Sequence, residues 1–562
     1  MRQFAAITGT IGASLAVSLA VVVSGQEPSA VPRGFGQRVE VRLGTLEVAV
    51  LDADGQPVCD LQAADFALRI GGEEWPITHF EPCRSPGAAV ENPIPAGTMP
   101  APTATPEPDK ETVWVIVVDN RNLSVFNRNA VLRRLGEFVR ARFRPPARAT
   151  VLALLDRVEV VCPLTSDPDS VIASLEALRA GTSGIGSSQA LLRMGEAQIR
   201  EIWEEPSPLK PDRMMMTARL YAGQILASLR QTCANLERLM RSLSGVPGRK
   251  ALVYVSDGLP LQPARELFTL VTEYFPALTT AQGGAESFRA EGLFTELGDY
   301  AVAAGVAFYP IDAQGVQVSG GFEAERRESY SSEVADLLRH NHQQTLSYLA
   351  VRTGGLAVLN TNNFGEALER IATAVEATYS LGFPLEHLET DQPLRVELGL
   401  RTGRKLRLHY RPVFVNRLPE TAVADRTSAG LLFDLADNPL RVSVATEAPR
   451  VVSKDRCAVP LVIRVPLASL VLPAEGGELS GAAVVFYQAA DAEGHRSQLA
   501  RIRHPLRIPL GRASAVRELA ISTEVEVGAG EGRVSVGVLD EVSGQAGYAT
   551  ARVDCSTRTV RR

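Results

Sequence analysis

No cysteine pair in this chain is spaced as CxxC, and no Cys/His spacing resembles a tetrahedral zinc site. A GxSxG nucleophile elbow and a GxxxxGK phosphate loop are also absent, which removes the common hydrolase and nucleotide-binding readings. There is no basic excess. Lys and Arg number 58 against 64 Asp and Glu, for a net charge of −6. That mild acidity argues against nucleic acid as a partner, because phosphate backbones select a basic face. No cysteine follows the apolar N-terminal stretch, so a lipoprotein anchor is not expected.

That stretch, "MRQFAAITGTIGASLAVSLAVVVSG", places Arg2 before a long apolar run, and Val23 and Gly25 suit cleavage before Gln26. Residues 1–25 are read as an export signal, which leaves no integral membrane segment in the mature chain. The alternative is an uncleaved anchor, for which the run is marginally long. Cleavage takes away Arg2 and no acid, moving the net charge from −6 to −7. The mature protein is then periplasmic or extracellular. Six cysteines are an even number in such a chain, and the spacing suggests one bridge per region: Cys59–Cys83, Cys162–Cys233 and Cys457–Cys555. Other pairings and free buried thiols stay open.

With 562 residues, 45% hydrophobic and 22% charged, the chain is expected to hold several globular domains. Residues 38–83 alternate polar and apolar around the turn signals Asp54-Gly55 and Gly71-Gly72, as a small β module would. Seven prolines crowd residues 84–110, which read as an extended linker. From residue 111 to 380 strands alternate with helices, which predicts a doubly wound, Rossmann-like α/β domain. Its strands include "VWVIVVD", the pair in "TVLALLDRVEVVCPL", "KALVYVSDG", "GVAFYPID" and "GGLAVLN". Residues 381–416 read as a β hairpin packing with the N-terminal module. From residue 417 to 562 only short strands and turns are expected, as in an all-β sandwich.

The buried run "VWVIVVD" stops at Asp119 and "KALVYVSD" at Asp257. Ligands of open α/β sheets gather at the carboxyl ends of the strands, so these carboxylates and the glycine-rich "AGTSGIGSS" loop should converge. Carboxylates with hydroxyls make a site for a hard cation such as Mg²⁺ or Mn²⁺. The order of parts, with "YPIDAQG" and "LSYLAVRTGGLAVLNTNNFGEALERIATAVEATYSLGF" after it, resembles the von Willebrand factor A (VWFA) domain. The likeness is to an exported bacterial type abundant in acidobacteria and spans roughly residues 40 to 415. It implies a metal-ion-dependent adhesion site built on a DxSxS loop. Here that loop reads Asp119-Asn120-Arg121-Asn122-Leu123, so Arg121 and Leu123 take the serine positions. Thr182 and Asp257 match the threonine and aspartate of the second and third loops. Asn122 and Ser124 are substitute ligands, and Arg121 is a replacement for the ion that would pair with Asp119 or Asp257.

The resemblance implies a non-enzymatic, exported protein that binds a protein or cell-envelope ligand through a degenerate adhesion site. One rival is a divalent-metal hydrolase using Asp119 and Asp257. Another is a structural envelope component with an inactive site. Weaker signals have bland readings. His340-Asn341-His342 reads as a solvated helix surface, Ser207 to Lys210 as a chance SxxK string, Met214-Met215-Met216 as a buried patch and "GAGEGR" as a turn.

Overall fold

The computed structural model describes residues 43–83, 111–181, 187–277, 280–316, 332–386, 388, 391–433, 435, 437–453, 455–513 and 515–555. The expected export signal, the proline-rich linker and Thr182 lie outside them. Two compact units divide the chain, one within residues 38–418 and one within 419–562.

The first unit begins with β1 (Leu43–Leu51), β2 (Phe66–Ile70), β3 (Glu73–Trp75) and β4 (His79–Glu81). Then come β5 (Thr112–Asp119), α1 (Val125–Arg142), β6 (Arg148–Leu154), β7 (Val158–Thr165), α2 (Pro168–Ala180), α3 (Ser187–Glu204) and α4 (Lys210–Leu243). After these run β8 (Arg249–Ser256), α5 (Arg265–Tyr274), α6 (Thr280–Glu286), α7 (Glu291–Ala303), β9 (Val306–Asp312), α8 (Ser332–Thr353) and α9 (Phe364–Glu376). The unit closes with β10 (Thr378–Pro384), β11 (Pro393–Leu400), β12 (Arg407–Tyr410) and β13 (Val413–Val415).

The central sheet has the order β7-β6-β5-β8-β9, parallel except for the antiparallel edge strand β7. A β-branched run such as Val113–Val118 suits its middle strand, because helices cover both faces and every residue is buried. Trp114, Ile116 and Val118 pack with Val131 and Leu135 of α1 and with Leu368 and Ile371 of α9. The residues between them point to the opposite face. Cys162 belongs to the first of these cores, whereas Cys233 on α4 lies beside Tyr254 on the other face. The sheet therefore separates the two thiols. The expected Cys162–Cys233 bridge does not form, and both cysteines are free and buried.

The stretch "GGLAVLN", expected as a strand, is not one: its only ladder contact is an isolated bridge from Val358 to Ile311. Gly355 lies so close to β9 that a Cβ on it would stand 1.8 Å from the Phe308 carbonyl oxygen. Of the three consecutive methionines, Met214 and Met215 are buried and Met216 is exposed.

Both ends of this unit meet in two further sheets. One runs β12-β1-β10-β4 and the other β13-β11-β2-β3, so β11 and β12 fall in different sheets and do not form the expected hairpin. Val48 sits opposite Tyr379 on one side and Tyr410 on the other, and Leu68 opposite Leu398. Val48, Val50, Phe66, Leu68, Tyr379 and Phe383 share one core. The Tyr379 phenol donates to the Val58 carbonyl at 2.7 Å and accepts from the Leu61 amide at 3.0 Å. The Cys59–Cys83 disulfide ties the chain between Val58 and Leu61 to the residues after β4. A boundary between residues 380 and 381 cuts through β10. The α/β domain ends with α9, since Tyr379 already belongs to the β core.

The second unit opens with a helix, α10 (Pro419–Ala429), where only strands were expected. Its strands are β14 (Ser443–Thr446), β15 (Arg450–Ser453), β16 (Arg456–Pro466), β17 (Ala474–Glu475), β18 (Glu478–Asp491), β19 (Ala500–Pro509), β20 (Glu518–Gly528), β21 (Glu531–Asp540) and β22 (Ala546–Asp554). Several are long, up to 14 residues in β18. In one sheet β16 pairs with β14, β15 and β20; in the other β18 pairs with β17, β19 and β21, and β21 with β22. Alternate residues of β16, β18 and β21, such as Leu461, Val485 and Val536, meet in one core between the sheets. Cys457 and Cys555 form a disulfide at its edge, and α10 packs Val423 on the outer face against Val484 and Phe486. "GAGEGR" lies at the β20–β21 turn.

Candidate functional site

The carboxyl ends of β5, β8 and β9 carry Asp119, Asp257 and Asp312, which are 0%, 3% and 2% exposed. Three buried carboxylates at one sheet end demand donors, since a desolvated charge without them is costly. Asp119 takes them all from the protein. Its Oδ1 accepts the backbone N–H of Arg121 at 3.1 Å and of Asn122 at 3.2 Å. Its Oδ2 accepts Asn122 Nδ2 at 2.9 Å, Ser256 Oγ at 3.3 Å and the Tyr254 phenol. Burial pushes the Asp119 carboxyl above its ordinary range, partly offset by Tyr254 and Asn122. Burial and the Asp119 charge raise the Tyr254 phenol.

Asp257 ties the loops together. Its backbone N–H donates to the Asn122 carbonyl at 2.8 Å. Its carboxylate accepts the Ser124 N–H at 2.8 Å, Asn127 Nδ2 at 2.9 Å and Gln189 Nε2 at 3.0 Å. Burial raises its pKa to about 6 against these donors. Asp312 accepts Gln343 Nε2 at 2.7 Å and the Gln314 N–H at 3.1 Å, and burial raises it as well.

The other DxSxS positions are engaged elsewhere. The Arg121 guanidinium does not pair with Asp119 or Asp257. It reaches Asp156 Oδ1 at 2.6 Å on the β6–β7 turn and Ser228 Oγ at 2.9 Å on α4, because its backbone amide is turned toward Asp119. Leu123 is buried in the core with α1. The Ser124 hydroxyl caps α1 by accepting the Asn127 N–H at 3.3 Å, so it serves the helix rather than a ligand. A hard cation needs free oxygen lone pairs, and here Asn122, Tyr254, Asn127 and Gln189 turn N–H or O–H groups toward both carboxylates. The donor set around Asp119 and Asp257, among the described residues, does not fit Mg²⁺ or Mn²⁺. Among the described residues no group of three or more His, Cys, Asp or Glu is arranged to hold a metal ion.

Beneath Asp257 lies a cavity of about 50 Å³, bordered by Asn122, Gln189, Asp257, Glu266, Gln314 and His342. His342 is partly buried, its side chain 25% exposed, rather than a solvated surface residue. It faces Glu266 of α5 across 3.1 Å, and Asn341 and Gln343 beside it bond to Gln262 and Asp312. Arg128 of α1, 1% exposed, binds Asn120 Oδ1 at 3.4 Å and the Gly181 carbonyl at 2.6 Å, joining the first loop to the residue before the second. Asp312 was within reach of sequence reasoning, since "YPID" ends on a carboxylate as "VIVVD" does. Tyr254, Asn127, Gln189, Glu266 and Arg128 carry no such signal. Ser207 and Lys210 bond to the Leu209 N–H and the Trp203 carbonyl and not to each other.

No protein-family model matches the chain, and no curated protein does. Solved structures similar to it include an aerotolerance-related membrane protein from Bacteroides fragilis, at 11% identity and a TM-score of 0.23, covering 47% of this chain and 98% of that one. A von Willebrand factor type A protein from Catenulispora acidiphila is similar at 13% identity and 0.23, covering 80% and 68%. The manganese-loaded TRAP protein of Plasmodium vivax is similar at 8% identity and 0.23, covering 63% and 87%. Scores of this size establish nothing alone, and the α/β fold rests on the sheet order above. The two disulfides fit an oxidising, non-cytoplasmic compartment. Among the described residues no helix is long and apolar enough to cross a membrane.

Proposed function

We propose that this chain is an exported, non-enzymatic binding protein. Its VWFA-type α/β domain presents the carboxyl end of the sheet to a protein or cell-envelope component, and its adhesion site works without a divalent ion. The observation that carries the reading is the saturation of Asp119 by donors of its own chain, with Arg121 committed to Asp156. A ligand then has to be met by surface side chains around the loops. Phe126, 84% exposed in the first turn of α1, is the most exposed large apolar residue there among the described residues.

Thermal unfolding of the mature chain in EDTA, then in millimolar Mg²⁺ or Mn²⁺, tests the ion-free site. A bound ion at a hundred times its Kd adds about 2.7 kcal/mol, a shift easily read. Wild type is expected to show none. A metal-dependent rise that Asp257→Ala abolishes overturns the ion-free reading. Retention of the mature chain on a native envelope fraction tests the binding face. Phe126→Asp is expected to lose retention while unfolding at the wild-type midpoint, and equal retention of the two proteins removes this face from the proposal.

A further inference from the structure

We propose that His342 is a proton-operated latch at the carboxyl end of the sheet. Charged, it clamps α8 to α5 and to the loop after β8, holding the cavity beneath Asp257 shut; neutral, it lets that junction loosen.

The geometry is a single imidazole set among carboxylates from three elements. Glu266 on α5 lies 3.1 Å from its Nε2 and is 7% exposed. Asp257 after β8 and Asp312 at the end of β9 also bear on its charge. From α8 itself, Arg339 acts on the same cluster through Asp312. The guanidinium of Arg121 is directed to Asp156, so it adds no cation beside Asp257. A proton on His342 makes its contact with the Glu266 carboxylate an ion pair as well as a hydrogen bond. Its loss leaves Glu266 facing a neutral ring.

The backbone that carries the ring is closely seated. Gly258, at φ +102°, backs onto the main chain of His342, and a Cβ there would stand 2.7 Å from His342 Cβ. Its Nδ1 is buried without a hydrogen-bond partner. Neighbouring contacts tie the same junction without any proton: Asn341 Oδ1 accepts the Gln262 N–H at 2.8 Å, and the Asn341 carbonyl accepts the Leu261 N–H at 3.1 Å. The junction therefore loosens rather than separates when the ring loses its charge. Burial alone would depress His342, but the hydrogen bond to Glu266 and the charges of Glu266, Asp312 and Asp257 outweigh it and raise its pKa above the ordinary 6.5. A histidine raised on folding contributes its stability fully below the ordinary value and loses it as pH rises through the folded value. The latch is shut in mild acid and opens toward alkaline pH.

Its value as regulation rests on the proposed binding role of this face, whereas the latch itself does not. Hydrogen exchange of the mature chain, expressed as protection relative to an unstructured peptide at each pH, reads it directly. Protection of residues 258–266 and of α8 around His342 is expected to fall several-fold between about pH 6 and about pH 8.5. Glu266→Gln is expected to move that step to lower pH, and His342→Gln to remove it. Protection that stays level with pH in wild type overturns the latch, as does a wild-type step retained by both variants. If the step is present but the envelope fraction does not retain the chain, the latch stands and the binding role fails. If the chain is retained and no step is seen, the binding role stands and the latch fails.

Discussion

Asp119 accepts five hydrogen bonds from its own chain, and this one residue decides what the loops can hold. A carboxylate satisfied in that way has little to offer an ion. Asp257 is the more responsive group, with a folded value of about 6 against an ordinary 3.8. The native state binds this proton more tightly than the unfolded chain does. By linkage, stability then rises as pH falls from about 6 toward 3.8, by about 3 kcal/mol in full. Asp119, Asp312 and His342 are raised too and act in the same direction. Exposed acids such as Asp60 and Glu541 are depressed by their arginine partners and oppose this at lower pH, and His409 and His504, depressed by burial, oppose it below about 6.5. Urea unfolding is thus expected to give roughly 1–3 kcal/mol more stability at about pH 5 than at about pH 7.5, with a smaller difference in Asp257→Asn. A stability that falls over that interval contradicts the burial argument. Asp119 and Asp257 are legible in the sequence because each ends a buried apolar run. Their distant partners are not, since Gln189 and Tyr254 reach them only through the packing of α3 and β8.

Among the elements, the four parallel strands and their helices follow from uninterrupted apolar runs and helical spacing. The misread elements have specific causes. "GGLAVLN" has the composition of a strand, but its glycines serve close approach. Gly354 has φ +77°, and a Cβ there would stand 2.4 Å from the Tyr410 carbonyl oxygen. Gly355 presses on Phe308 more closely still. In the second unit, Pro460 inside β16 and the small residues opening β18 disguise long strands as short ones. Backbone clashes cannot relax by a change of rotamer, so Gly355→Ala is expected to cost about 3 kcal/mol or more. At Gly136 in α1 nothing lies within 4 Å of an added carbon. Gly136→Ala is expected to be neutral or to stabilise by about 0.5–1 kcal/mol, because alanine loses less freedom in a helix. Unfolding free energies of the two variants provide the check. Similar costs for both would mean that the β9 contact is not what the glycine serves.

For the chain as a whole, the α/β domain is an insertion into a β module that its own flanks complete. The alternating pattern of residues 38–83 and 381–416 is readable in the sequence. That β10 starts at Thr378, only two residues after α9, is not, because Tyr379 looks like the end of a helix until its phenol is seen capping the Val58–Leu61 loop. The arrangement has an energetic consequence. β1 pairs with both β10 and β12, so removing it would uncover Tyr379, Leu381 and Phe383, each 0% exposed. Exposing side chains of that size costs about 1.5–3 kcal/mol apiece, enough together to match the net stability of a typical domain. A fragment of residues 38–418 is therefore expected to unfold in one cooperative transition, while residues 111–418 should be partly unfolded or aggregated. Circular dichroism during thermal unfolding distinguishes the cases. If both fragments melt cooperatively at the same midpoint, the α/β domain does not depend on the β module, and the strands at its two ends are an accessory to its fold.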